Sequence, residues 1–266
     1  MLELVKCDIR GRKNKIVLMS ALLVISHILM LLTFQWSSAV EKGSGLSFMM
    51  DGSLNKLSVF SLVLAISLSG ISLLIAVIHG IKSLVVELVG NQGKLSFSIP
   101  EQSSKIIYIK LIATSIEYIT YFIIICIFCV LHIGKGVAST QGWQSVVYML
   151  DDLVYTILIA AITYISFMTL VYFSMILAKG VFKVKSGFAV ISIIFIVVIG
   201  SIIDKLETLI EKAAPVYIEL QSLRIGNVAT ASITEFSVVK LVIDLICIIV
   251  FLRLSSYIVD KKLSLE

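Results

Sequence analysis

The feature that most constrains this chain is a series of long apolar runs that carry no charge. The longest, residues 153–178, contains 26 residues without an acidic or basic side chain, and residues 16–34 and 57–78 are also uncharged. A helix needs roughly 20 mostly apolar residues to cross about 30 Å of hydrocarbon. Because apolar residues cover every face of these segments, they predict helices buried in lipid rather than amphipathic surface helices.

The composition supports the same class of protein. Hydrophobic residues make up 59% of the 266 residues and charged residues 15%, whereas soluble domains average about 45–50% apolar and about 25% charged. The apolar runs use most of the chain, and no remaining stretch is long enough for a separate soluble domain. We therefore predict an all-α integral membrane protein with a single transmembrane domain over residues 1–266.

Six segments are candidates for membrane-spanning helices. They are residues 16–34, 57–78, 111–133, 153–178, 186–203 and 238–257. The third is interrupted only by Glu117. The sixth is less apolar than the others because it contains Lys240, Asp244 and Arg253.

Basic residues are distributed unevenly between the two sides of these segments. If the N-terminus is cytoplasmic, 15 of the 22 Lys and Arg residues lie on the inner side, with six acidic residues there and nine outside. An excess of Lys and Arg is typical of cytoplasmic loops. The distribution predicts that both termini are cytoplasmic. It also explains the net charge of +5 as a topology signal, so we do not predict nucleic-acid binding.

Motifs for catalysis and metal binding are sparse. Cys126 and Cys129 form a CxxC within the third predicted span, but His132 is the nearest further ligand candidate, and a zinc site needs more ligands than these. The sequence contains neither an HExxH motif nor a G-x-x-x-x-G-K-[ST] phosphate loop. We therefore predict that the chain is not an enzyme, that it binds no cofactor or metal, and that it does not hydrolyse ATP by itself.

Two acidic side chains, Glu117 and Asp244, lie within predicted spans. An ionisable residue in a transmembrane helix costs about 2.5–3.5 kcal/mol on insertion scales and is a candidate functional residue. Glu117 lies about two turns from Lys110, and Asp244 shares a helix face with Lys240. Each acid can contact a substrate or hold a proton, or it can face a seam between helices or pair locally. The sequence leaves both interpretations open.

Two amphipathic segments accompany the spans. Leu2, Val5 and Ile9 form one stripe beside basic residues, which predicts a short N-terminal helix at the cytoplasmic interface. On the outer side, apolar residues in 202–223 recur at i, i+3 and i+4, opposite acidic residues. This spacing predicts an amphipathic outer-loop helix, which breaks near Pro215 because proline disrupts a helix interior.

The cytoplasmic interval at residues 90–112 reads GNQGKLSFSIPEQSSKIIYIKLI. Its first glycines and asparagine favour the end of a helix, and KLSFSI alternates apolar and polar residues. Ser98 and Glu101 then form a capping box around Pro100, a residue that the first turn of a helix tolerates. The pattern predicts a stiff helix–elbow–helix that projects into the cytoplasm.

This interval and the layout of the spans resemble the permease subunits of type 2 ATP-binding-cassette (ABC) exporters. That family has a leucine-x-x-x-(leucine or isoleucine)-proline segment, then a polar stretch, and a lysine at the foot of the third span. The matching residues here are Leu95, Ile99, Pro100, Lys105 and Lys110. The resemblance covers the whole chain in layout, while its motif is confined to this one interval.

The resemblance implies a membrane subunit that forms a homo- or heterodimer with a second permease subunit and binds two copies of a cytoplasmic ABC ATPase. ATP and Mg²⁺ would be held by that ATPase. Its hydrolysis would drive export of a peptide, lipid-like or drug-like substrate, as in antimicrobial peptide export or immunity, across the plasma membrane of a bacterium. Its coupling elbow would comprise Gly90, Gly93, Leu95, Phe97, Ile99, Pro100, Glu101 and Lys105.

Two other classes of protein are alternatives to an ABC exporter subunit. An ion-coupled secondary transporter would use an intramembrane acid such as Glu117, but such transporters have interrupted helices and no predicted span contains a proline. A membrane enzyme would need a catalytic set, and the sequence has none. A neighbouring gene for an ATPase, or copurification with one, would discriminate between these classes.

Overall fold

The computed structural model describes residues 2–38, 56–89, 103–141, 143–180, 188–219 and 235–263. Within these ranges the chain forms six long helices and one pair of short strands. The elements are α1 (Leu2–Ser38), α2 (Lys56–Val89), α3 (Ser103–Gln141), α4 (Trp143–Gly180), α5 (Phe188–Ala213), β1 (Tyr217–Glu219), β2 (Glu235–Ser237) and α6 (Val238–Ile258), followed by a π-helical turn at Val259–Leu263. None of the described helices contains a proline, so nothing interrupts their backbone hydrogen bonds.

Five of the described helices, α1 to α5, are long and apolar enough to cross a membrane. Their surfaces expose many large apolar side chains, among them Ile25, Ile66, Leu74 and Val190. A monomeric soluble protein rarely exposes contiguous apolar surface on this scale. Helices also satisfy their own backbone polar groups, which lipid cannot do. These features indicate a multi-pass membrane protein, as the apolar runs predicted.

α6 was predicted as the sixth span, and it is not one of those five helices. It is 21 residues long and carries Lys240, Asp244 and Arg253. Ser237 precedes it in extended conformation and accepts a hydrogen bond from the backbone N–H of Lys240, which caps the helix. The membrane crossing of α6 stays a prediction.

The six helices pack in two groups that share α4. α1, α2 and α3 contact one another, and α4 packs on α3, α5 and α6 and also reaches α2. The core between α1, α2 and α3 contains Leu23, Ala76 and Tyr121, and a larger core around α4 includes Met168 and Tyr172. α4 therefore lies at the centre of the described bundle.

Helices α2, α3 and α4 meet at Gly80. The hydroxyl of Tyr172 donates a hydrogen bond to the Gly80 carbonyl at 3.1 Å. A Cβ atom at Gly80 would overlap the terminal methyl of Met168 and would lie 3.2 Å from Cγ2 of Thr114. Any side chain at this position would have to displace Met168 and press on Thr114.

The predicted N-terminal helix exists, but it is not a separate short helix at the membrane surface. α1 continues without a break from Leu2 to Ser38, and Val5 is buried. Asp8 and Arg12, which would face water on an interfacial helix, form ion pairs with Lys110 and Glu117 of α3. These pairings draw both charged side chains into the bundle, so the segment extends the first span.

The predicted outer-loop helix is also continuous with a span. α5 extends to Ala213 and stops before Pro215, so the predicted break near this proline is confirmed. Residues 217–219 form β1, which pairs antiparallel with β2 in the register Tyr217 to Ser237, and the sequence analysis predicted neither strand. The apolar stripe of the helix is largely exposed at Leu206 and Ile210.

Candidate functional site

Glu117 is the best-buried acidic residue of the described chain and lies between α1, α2 and α3. Its carboxylate has no exposed surface. Oε1 lies 2.8 Å from Nδ1 of His79 on α2 and accepts a hydrogen bond from the Tyr121 hydroxyl at 3.4 Å. Oε2 lies 3.5 Å from Nη1 of Arg12 on α1. A single acid thus joins three helices.

Further ion pairs connect this acid to the ends of α2 and α3. Nη2 of Arg12 lies 2.9 Å from Oδ2 of Asp8, and Nζ of Lys110 lies 2.9 Å from Oδ1 of Asp8. Lys110 also lies 3.5 Å from Oε1 of Glu87. We call the whole set the charge network. It comprises Asp8, Arg12, His79, Glu87, Lys110 and Glu117.

Helical periodicity explains why each helix presents its charges together. Asp8 and Arg12 are four residues apart on α1, which places them on one face. Lys110 and Glu117 are separated by two helical turns on α3. The three helix faces meet in the bundle, so the pairs combine into one network.

The charge network is mostly shielded from solvent. The side chains of Asp8, Arg12, Glu87 and Lys110 are only 13–17% exposed. Buried charges are tolerated when they are paired, and the loss of one partner from a buried pair typically costs about 3–5 kcal/mol. The network therefore holds α1, α2 and α3 in one arrangement at this end of the bundle.

Of this network, the sequence indicated a candidate role only for Glu117 and Lys110. Asp8, Arg12, His79 and Glu87 were missed as site residues. The spacing of Asp8 and Arg12 was a usable signal, because an acid and a base four residues apart pair on a helix. No sequence signal indicated that His79 would face Glu117.

The predicted coupling elbow lies almost wholly outside the described residues. This is true of Gly90, Gly93, Leu95, Phe97, Ile99, Pro100 and Glu101. Lys105 is described: it lies in the first turns of α3 and is partly buried. The charge network stands directly beside this interval in the chain, since Glu87 precedes it on α2 and Lys110 follows it on α3.

Asp244 occupies a second polar contact, between α6 and α4. It is 7% exposed, and its Oδ1 accepts a hydrogen bond from the Ser166 hydroxyl at 2.7 Å. Lys240, the helix neighbour considered from the sequence, is exposed. Asp244 and Glu117 therefore have separate partners, and the structure does not bring them into one site.

That the chain binds no metal stays a prediction. Cys126 and Cys129 are free thiols, and the described residues contain no group of three or more metal-ligand side chains. Near them, His27 stacks on Phe128 at 4.9 Å between ring centroids and contacts the Ser69 hydroxyl at 3.2 Å. This arrangement is typical of helix packing.

In comparisons with known proteins, no family model, no curated protein and no solved structure matched the chain. Its function is therefore inferred from its own residues and their geometry. The strongest local feature is the charge network, because it combines full burial of Glu117 with contacts from three helices.

Proposed function

We propose that this chain is the membrane subunit of an ABC exporter. A separate cytoplasmic ATPase would bind ATP and Mg²⁺ and hydrolyse ATP. This chain would couple the hydrolysis to export of a peptide, lipid-like or drug-like substrate. The observation that carries the proposal is the position of the charge network. It ties together α2 and α3, the two helices that the predicted coupling elbow connects.

The network suits the transmission of force from such an elbow. Glu87 and Lys110 lie 3.5 Å apart and link the end of α2 to the start of α3. Lys110 also pairs with Asp8, which brings α1 into the same unit. A displacement of the elbow would then move α1, α2 and α3 together, and α4 would follow through its contact at Gly80. ATP-driven closure of two partner ATPases could thus reach the spans.

We further propose six spans with both termini in the cytoplasm. The proposal draws on the distribution of Lys and Arg and predicts that the α5–α6 connection is external. In a variant with serine at Cys7, Cys126, Cys129 and Cys247, a cysteine at Lys212 should react with an impermeant thiol reagent added from outside. A cysteine at Lys94 should react only after permeabilisation. The reverse pattern would overturn the orientation.

The elbow gives the direct test of the partner. Leu95→Ser with Phe97→Ser should abolish copurification of the cytoplasmic ABC ATPase and substrate-stimulated ATP hydrolysis in lipid nanodiscs. Burial of one such side chain contributes about 1.5–3 kcal/mol, so losing two should weaken binding at least about a hundredfold.

Val86→Ser provides a matched control for the elbow variant. Val86 is exposed on α2 and lies outside the charge network, so its substitution should leave ATPase binding unchanged. If the double variant keeps its ATPase and its stimulated turnover, the elbow is not the docking site. Membrane levels of all variants must be equal, so that loss of binding is not loss of the protein.

An ion-coupled secondary transporter is the second candidate, and the contact of Glu117 with His79 favours it. Such a transporter needs a carboxylate inside the bundle that can exchange an ion or a proton. The two candidates differ in energy source. Substrate flux into vesicles that requires the ATPase and ATP supports the exporter, whereas flux driven by an imposed proton gradient without ATP supports the second candidate.

A further inference from the structure

We propose that the charge network is a proton-binding site in which His79 and Glu117 together hold one exchangeable proton at neutral pH. The proton is the ligand, and the imidazole and carboxylate are the groups that bind it. Their contact, Nδ1 to Oε1 at 2.8 Å, joins α2 to α3. This inference concerns the chain alone and does not depend on the ATPase or on the transported substrate.

The acidic side chains of the network outnumber its permanently charged basic side chains. Its acids are Asp8, Glu87 and Glu117, and its permanent cations are Arg12 and Lys110. Three carboxylates against two cations leave one negative charge. His79 is the sixth member and the only one that ordinarily changes charge near neutral pH. One additional proton on the His79–Glu117 pair makes the network neutral.

Both permanent cations lie closer to Asp8 than to the other acids with which they pair. Lys110 pairs with Asp8 at 2.9 Å, and Arg12 lies 2.9 Å from Asp8 but 3.5 Å from Glu117. Asp8 thus has the closest contact of both cations. Glu117 is fully buried, and its closest basic partner is His79. An ionised carboxylate at this depth is costly unless a cation compensates it.

Other polar side chains near the His79–Glu117 pair come from α1, α3 and α4. α1 contributes Asp8 and Arg12, which the network already includes. α3 contributes Lys110 and the Tyr121 hydroxyl, which donates to Oε1 of Glu117. α4 contributes the Tyr172 hydroxyl, which donates to the carbonyl of Gly80, the residue after His79. Among the described residues, Glu117 forms its ion pairs with Arg12 and His79.

The geometry matches a charge-assisted hydrogen bond. Such bonds between a protonated nitrogen and a carboxylate are about 2.7–2.9 Å long and about twice as strong as neutral ones. A neutral His79 with its hydrogen on Nδ1 would still donate to Glu117, but the network would keep its uncompensated charge. The two states differ by one proton and can be distinguished spectroscopically.

The test measures the proton on the full chain in lipid nanodiscs. ¹⁵N NMR of the histidine rings, with His79→Gln to assign the signal, reports whether both nitrogens of His79 are protonated. Isotope-edited infrared spectra, assigned with Glu117→Gln, report whether the carboxyl is protonated. A charged His79 beside ionised Glu117, or a neutral His79 beside protonated Glu117, supports the proposal. A neutral His79 beside ionised Glu117 at neutral pH overturns it.

A set of charge-matched variants tests the same balance through stability. His79→Gln removes the imidazole that shares the proton with Glu117 and should lower the unfolding temperature. Adding Glu117→Gln removes the unmatched acid, so the double variant should recover part of that loss. If the double variant is no more stable than His79→Gln alone, charge balance is not what His79 supplies and the proposal fails.

Discussion

Replacing Arg12 with methionine should destabilise the folded chain by about 3–5 kcal/mol, the usual cost of removing one partner from a buried ion pair. Methionine keeps most of the side-chain volume but leaves Asp8 and Glu117 without the guanidinium that joins them. The free energy of unfolding can be measured by denaturant titration in mixed micelles. Of the two ion-pair contacts between α1 and α3, the variant should keep only the one between Asp8 and Lys110.

Arg10→Met is the matched control for this change. Arg10 lies two residues away on α1 and is exposed, so its replacement should change stability by no more than about 0.5 kcal/mol. Adding Asp8→Asn to Arg12→Met removes one of the two acids that lost the guanidinium, and it should restore part of the stability. Equal effects of Arg12→Met and Arg10→Met would show that the network does not hold the helices together.

Gly80→Val should destabilise the bundle by about 1–3 kcal/mol, because overpacking forces neighbouring side chains and backbone to move. The new side chain would meet Met168 and the stiff, β-branched Thr114. It would also disturb the hydrogen bond from Tyr172 to the Gly80 carbonyl. Thermal unfolding of the purified chain in nanodiscs measures the loss.

Gly70→Val is the control on the same helix. No atom lies within 4 Å of the Cβ position at Gly70, which is exposed, so valine there should be close to neutral. Gly80→Ala should have a smaller effect than Gly80→Val, because the terminal methyl of Met168 can move aside more easily than Thr114. A neutral Gly80→Val would mean that α2, α3 and α4 do not pack closely at this point.

The positions of the spans could be predicted because hydrophobicity is a local property. Residues 153–178 are apolar in whatever fold they join, and a bilayer requires a certain length of such residues. Helix ends were harder to predict. The third span was predicted at residues 111–133, whereas α3 extends over Ser103–Gln141. Polar residues beyond the hydrocarbon continue a helix when no proline stops it, and α3 continues through Gly134 and Gly136.

The sequence by itself determined that the chain is a helical membrane protein, and it identified Glu117 as an unusual acid. The family resemblance and the role of Leu95, Phe97 and the rest of the elbow also come from the sequence alone and stay predictions. The tertiary structure decided which side chains Glu117 contacts. His79, its partner, lies 38 residues away on another helix. The length of an apolar segment can be read directly from the sequence. The partner of a buried charge depends on which helix faces meet, and only the packing of the helices determines that.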